Sequence, residues 1–228
     1  MKIAVIAAMG KELRLLLEFL GNYEEAVFGK TRFYFGKIGD HEVVMVQCGI
    51  GKVNAALTTM ITKDFFHPEL IINSGVAGGL DESMHIGDIL IADRVAYHDV
   101  WCGPGTQYGQ ADGCPLYFTP YEKGLEILQQ LKTDGNNLKF GLLCSGDQFI
   151  STPEQVKEIK NKFPDALGCD MESAAIAQTG YWNSIPFVVI RVMSDMPGGG
   201  ENISQYKNFW SEAPAKTFQI VSSFIKKL

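Results

Sequence analysis

The chain has 228 residues, 46% of them apolar, with 20 basic and 26 acidic side chains and a formal charge of −6. That length buries a sizeable core, and the composition excludes a disordered chain. Lys and Arg are scattered without a basic stripe, so a nucleic-acid surface is excluded and an anionic membrane is disfavoured.

Five cysteines, Cys48, Cys102, Cys114, Cys144 and Cys169, are widely spaced and form no Cys-x-x-Cys pair. Their number is odd, which predicts thiols in a reducing, cytoplasmic setting rather than disulfides or a zinc site. The apolar start is short and meets Lys11 and Glu12 without a cleavage-like segment. It reads as a buried strand, not a signal peptide. No segment is long and apolar enough to span a membrane.

Strand and helix patterns alternate. Ile3–Ala8 is an apolar strand, and leucine-rich Lys11–Leu20 is a helix. Glu25–Cys48 reads as a meander with turn signals at Gly36, Gly39 and Asp40. Lys52–Phe65 is a helix entered through Gly49-Ile50-Gly51. Leu70–Ser74 is a buried strand, and Gly75–Gly79 reads as a turn leaving it. Ile86–Ala96 is a strand. Residues 99–118 lack a period and predict a long, functional loop. Tyr121–Leu131 is a helix and Lys139–Cys144 a strand. Ser151-Thr152-Pro153-Glu154 carries helix-start chemistry, followed by Val156, Ile159 and Phe163 at helical spacing. Met171–Tyr181 is an alanine-rich helix. Phe187–Asp195 is a strand, followed by Gly198–Gly200 and a helical region broken near Pro214. No repeat or linker divides the chain. The pattern predicts one domain over 1–228, of α/β class, with three layers (α/β/α) around a central mixed sheet.

The last strand is the most telling. Arg191 sits inside an apolar run, where a guanidinium needs an acidic partner and satisfied donors. Alternation puts Arg191 and Asp195 on one face, about 13 Å apart along an ideal strand. That span fits a structural ion pair at a strand end, or two groups gripping a small molecule of nucleoside size. Glu12 follows the first strand in the first turn of a helix. The dipole favours an acid there, and ligands also gather at strand carboxyl ends. The loops at 49–51 and 75–79 are tight turns or places where backbone approaches a ligand, and neither matches a dinucleotide or triphosphate motif. Phe149, in Gly146-Asp147-Gln148-Phe149-Ile150, is either core or a stacking surface for a planar base. Cys169-Asp170-Met171-Glu172 opens the alanine-rich helix. Its acids serve the helix start, or Glu172 points inward toward sugar hydroxyls. His41, His67, His85 and His98 lack metal-ligand spacing, and His98, bordering the long loop, reads as a surface residue or as one that touches a ligand.

Taken together, these segments resemble the 5′-methylthioadenosine/S-adenosylhomocysteine nucleosidase family, within the nucleoside phosphorylase fold. The resemblance runs through Ala8–Glu12, Cys48–Ala56, Asn73–Gly79, Ser145–Ile150, Asp170-Met171-Glu172 and Arg191–Asp195, and it spans nearly the whole chain. It implies a homodimer that hydrolyses the N-glycosidic bond of a 5′-substituted adenosine with no cofactor. The 99–115 loop would then lie near the partner's site. It implies Glu12 as the base that activates water, Asp195 as the acid on adenine N7 oriented by Ser194, and Arg191 as a group that fixes the water and Glu12. Glu172 would bind ribose hydroxyls beside Met171. Phe149 would stack on adenine, Ile150 would read its edge through backbone groups, and Tyr206 would lie near the 5′ end. Ile50, Val76, Cys169 and Asp170 complete the candidate substrate-binding set.

Three positions depart from the family pattern. Val76 stands where a small hydroxyl residue is common, Asp170 stands for a more usual Glu, and Val100–Gln107 is shorter and different. Two other enzymes share enough chemistry to be weighed: a phosphate-dependent nucleoside phosphorylase and an aminofutalosine hydrolase. A nucleoside-binding or storage protein without turnover is the non-enzyme alternative.

Overall fold

The computed structural model describes residues 1–131, 137–199, 201–212 and 218–228. In chain order the elements are β1 (Lys2–Ala7), α1 (Gly10–Leu20), β2 (Glu24–Phe28), β3 (Thr31–Ile38), β4 (His41–Gln47), α2 (Lys52–Phe66), β5 (Leu70–Gly79) and β6 (Ile89–Tyr97). They continue with α3 (Glu122–Gln130), β7 (Leu138–Ser145), α4 (Pro153–Lys162), β8 (Ala166–Asp170), α5 (Ser173–Trp182), β9 (Phe187–Asp195), α6 (Asn202–Glu212) and α7 (Gln219–Ile225). The helix break expected near Pro214 and the last glycine of the run, Gly200, fall outside the described residues.

The strands form one mixed sheet in the order β2-β3-β4-β1-β5-β8-β7-β6-β9, and β9 also pairs with β5. That last pairing curls β5, β8, β7, β6 and β9 into a closed ring, with the meander extending from it. β1 runs parallel to β4 and β5, and β5 runs parallel to β9. β8 meets β5 antiparallel, as β6 meets β9.

Helices cover both faces, which is the expected three-layer arrangement. β1 shows why its sequence is almost wholly apolar. Ala4 and Ile6 pack with Ala55, Phe66 and Ala174–Ala177 of α2 and α5. Ile3 and Val5 pack on the other side with Leu13, Leu16, Val221 and Phe224 of α1 and α7. A strand buried on both faces has no polar side to show. In α5 the run of alanines presents small side chains where α2 lies alongside. α4 starts as its sequence predicts: Gln155 N–H donates to Thr152 Oγ1 at 3.3 Å, and Pro153 needs no amide partner.

Several boundaries differ from expectation. Gly75–Gly79 is not a turn but the continuation of β5. Its glycines mark crowding: a Cβ on Gly78 would lie 2.7 Å from Pro197, and one on Gly79 would lie 3.3 Å from Met84. The short strand β8 has no sequence counterpart, so Cys169 and Asp170 end a strand, and α5 starts at Ser173 rather than Met171. β6 starts at Ile89 rather than Ile86. Within the 99–118 loop, Cys114 and Phe118 are buried, and Phe118 bridges to Val95.

Candidate active site

β1, β5, β8 and β9 bring their carboxyl ends to one cavity. Glu12 reaches it from the α1 start, Glu172 from just before α5, and Asp195 from the end of β9. Every residue of the candidate substrate-binding set lines it: Ile50, Val76, Phe149, Ile150, Cys169, Asp170, Met171, Glu172, Ser194 and Tyr206. The catalytic candidates divide, because Glu12 and Asp195 face the cavity and Arg191 does not.

Glu12 is buried, and both its oxygens are held. Val76 N–H donates to Oε1 at 2.9 Å and Met9 N–H donates to Oε2 at 2.8 Å. The second bond is the backward reach of a helix-start acid, so one carboxyl caps α1 and faces the cavity at once. Burial raises its pKa, opposed by the Arg191 charge and by the amides of Val76, Met9 and Ala8. The space beside it is reserved by Gly75. A Cβ there would lie 2.6 Å from Glu12 Oε1 and against Arg191 Nη1.

Arg191 is 1% exposed, and its partner is Asp170, not Asp195. Its Nε–H donates to Asp170 Oδ2 at 2.8 Å, and Nη2–H donates to Asn73 Oδ1 at 2.7 Å and Ser173 Oγ at 3.0 Å. Burial opposes its charge, but the carboxylates of Asp170, Glu172 and Glu12 outweigh that cost and raise its pKa. The guanidinium therefore supports the cavity wall from behind instead of gripping a ligand. Simple alternation also stops short of Asp195. Ala77 pairs with Met193 and Gly78 with Asp195, which leaves Ser194 as an extra residue at a bulge. Asp170 touches the cavity, but its carboxylate is committed to Arg191 and to the Ser173 hydroxyl.

Asp195 is 2% exposed. Burial raises its pKa, opposed by hydrogen bonds from Ser194 and Asn202. Ser194 Oγ–H donates to Oδ1 at 2.6 Å. Glu172 accepts Gly51 N–H on Oε1 at 2.8 Å. Burial pushes it up to about 7, with Asp170 adding to the rise and Arg191 and the Gly51 amide opposing it. Gly51 adopts φ +94 at the entry to α2, a conformation that suits glycine. Phe149 is 47% exposed at the cavity mouth, which removes the core reading, and its ring meets Tyr206 edge-on at 5.8 Å. Tyr206 O–H points to Met9 Sδ at 3.1 Å.

His98 is buried rather than on the surface, and desolvation lowers its pKa. Sequence reasoning passed over Asn73, Ser173, Asn202, Gln148 and Met9. Asn73 carried a signal, since it is a lone amide in the apolar run Leu-Ile-Ile-Asn. It donates Nδ2–H to Ile6 O at 3.0 Å while its Oδ1 accepts from Arg191 and lies 2.8 Å from Ser173 Oγ.

The chain belongs to the phosphorylase superfamily, whose family model matches residues 2–226. The 5′-methylthioadenosine/S-adenosylhomocysteine nucleosidase of Staphylococcus aureus (strain bovine RF122 / ET3-1) is 41% identical, covering 99% of this chain and 100% of that protein. The protein of the same name from Staphylococcus epidermidis (strain ATCC 12228 / FDA PCI 1200) is 38% identical at the same coverage. The nucleosidase from S. pneumoniae, solved with the transition-state inhibitor MT-ImmA, is similar at a TM-score of 0.94 and 39% identity, covering 100% of this chain and 99% of that one. The chain belongs to the 5′-methylthioadenosine/S-adenosylhomocysteine nucleosidase family.

Proposed function

We propose that this chain hydrolyses the N-glycosidic bond of 5′-substituted adenosines, methylthioadenosine and adenosylhomocysteine among them, to adenine and a 5-substituted ribose. One observation carries the chemistry: two buried carboxyls, Glu12 and Asp195, line one cavity with an acid of sugar-binding type, Glu172, beside them. Adenine leaves poorly as an anion, so Asp195 protonates N7 as the bond breaks. The sugar develops oxocarbenium character, and Glu12 takes a proton from the water that attacks its opposite face. Inverting glycosidases divide the work between two carboxyls in a comparable way. Each proton transfer contributes about 10²–10⁴-fold.

The electrostatics support this casting. Asp195 needs to keep its proton longer than a solvated aspartate does, and burial supplies that shift. Glu12 needs to be ionised, and Arg191 behind it favours the anion. Ser194 orients Asp195. Glu172 accepts the ribose hydroxyls, with Met171 beside the sugar. Phe149 stacks on the base, Ile150 reads its edge, and Tyr206, Ile50, Val76 and Cys169 shape the remaining wall. Both proton transfers come from side chains of this chain, so the proposed route calls on no cofactor. Phosphorolysis is disfavoured because a phosphate would meet Glu12, an anion held by two amides.

The proposal extends to a single domain over 1–228 working in the cytoplasm as a homodimer, with the 99–115 loop near the partner's site. Among the described residues no helix is long and apolar enough to cross a membrane. Incubation with methylthioadenosine in phosphate-free buffer, followed by chromatography, tests the reaction. Adenine is expected, and strict dependence on phosphate would sink the hydrolase reading.

A further inference from the structure

Three charged residues outside the cavity tie its walls together. Lys52 is the first residue of α2, Asp99 follows β6, and Asp147 follows β7. Lys52 Nζ meets Asp99 Oδ2 at 2.8 Å, and Asp147 N–H donates to the same oxygen at 2.8 Å. Asp147 Oδ1 in turn accepts Lys52 N–H at 2.7 Å, and its Oδ2 lies 3.9 Å from Lys52 Nζ. Each residue adjoins a working segment. Gly51, next to Lys52, donates to Glu172. Asp147 leads into Gln148, Phe149 and Ile150, which line the cavity. Asp99 opens the 99–115 loop. Lys52, Asp99 and Asp147 do not line the cavity themselves.

The Lys52–Asp99 pair is half-buried at the surface and the Lys52–Asp147 charge contact is long at 3.9 Å; surface ion pairs contribute about 0–1 kcal/mol, so stability gives little reason for this arrangement. Its geometry gives a better one. The amino end of α2 carries amides without helical partners, and two carboxylates from separate loops take the first of them: Glu172 on Gly51 and Asp147 on Lys52. The seat of Glu172 therefore depends on the loop that carries Phe149.

We propose that Lys52, Asp99 and Asp147 are positioning residues, an ionic clamp that holds the sugar-facing Glu172 and the base-facing Phe149–Ile150 segment in one register. This rests on the nucleosidase reading above. Without the clamp, each half of the substrate is gripped separately and the bond to be broken is poorly aligned.

Asp147→Ala is expected to lower kcat/KM for methylthioadenosine by about 10–100-fold while melting as wild type. Asp147→Asn keeps an oxygen for the Lys52 amide and is expected to recover most of that loss. In a Glu172→Ala background, where nothing from residue 172 takes the Gly51 amide, the Asp147→Ala loss is expected to shrink, because both act through the same amino end of α2. A merely structural role gives equal losses in both backgrounds, and that result overturns the clamp. So does wild-type turnover with Asp147→Ala within twofold of it. Should Asp147→Ala not fold, Asp99→Asn and Lys52→Met replace it, each with an expected loss of about 10-fold, and unchanged kcat/KM in both overturns the clamp. If wild type releases no adenine, the hydrolase reading fails on its own. The clamp is then judged by adenine binding in calorimetry, which Asp147→Ala weakens if the clamp holds and leaves unchanged if it does not.

Discussion

Glu12 and Asp195 are carboxyls in one cavity, both buried and both raised in pKa by desolvation, yet their surroundings differ in kind. Glu12 has backbone amides on both oxygens and the Arg191 charge behind it. Asp195 is opposed by two neutral side chains, Ser194 and Asn202. Burial raises both, but only Glu12 has a cation opposing that rise. The proposed division into base and acid follows from that difference.

The comparison breaks most sharply at the carboxyls themselves. Glu12→Gln and Asp195→Asn are each expected to lose about 10²–10⁴-fold in kcat, measured as adenine release, with melting unchanged. Unchanged turnover in either removes that residue from its role.

Arg191→Leu tests the support behind Glu12. It leaves Asp170 buried without its cation, a cost of about 3–5 kcal/mol in urea unfolding. A variant as stable as wild type would mean that the pair contributes nothing to the wall.

The pH dependence of stability is smaller. Glu172 has a folded value of about 7, above its ordinary 4.5. Its contribution is complete below pH 4.5 and is lost as pH rises through 7, by at most about 1.4 kcal/mol per pH unit. His98 acts in the opposite direction, since its folded value is lowered. The informative quantity is therefore wild type minus Glu172→Gln, which is expected to fall between pH 5 and pH 8. A flat difference would contradict the burial of Glu172.

Ser194→Ala gives the smallest effect. It removes a donor that favours the Asp195 anion, so the alkaline limb of kcat/KM is expected to move up by about one pH unit or less. Movement downward would contradict the role of Ser194.

The sequence made the layers legible because Ile3–Ala7 of β1 and Phe187–Ile190 of β9 are unbroken apolar runs, as strands buried on both faces require. The same pattern exposed Arg191 as anomalous. Its partner stayed hidden because Asp170 ends β8, a five-residue strand with Gly168 at its centre and no periodic signal. The closure of β5 on β9 was equally invisible, since pairing between strands far apart in sequence leaves no local trace. Gly75–Gly79 misled for a physical reason: side chains pressed against a strand and a turn both select glycine, and sequence does not separate them.

The central claim, that water directed by Glu12 replaces adenine protonated by Asp195, is tested most directly by isotope tracing. Methylthioadenosine is cleaved in oxygen-18 water without phosphate, and both products are weighed by mass spectrometry. The account predicts one heavy oxygen in the ribose fragment and none in adenine. An unlabelled sugar, or a sugar phosphate formed only when phosphate is added, would contradict it.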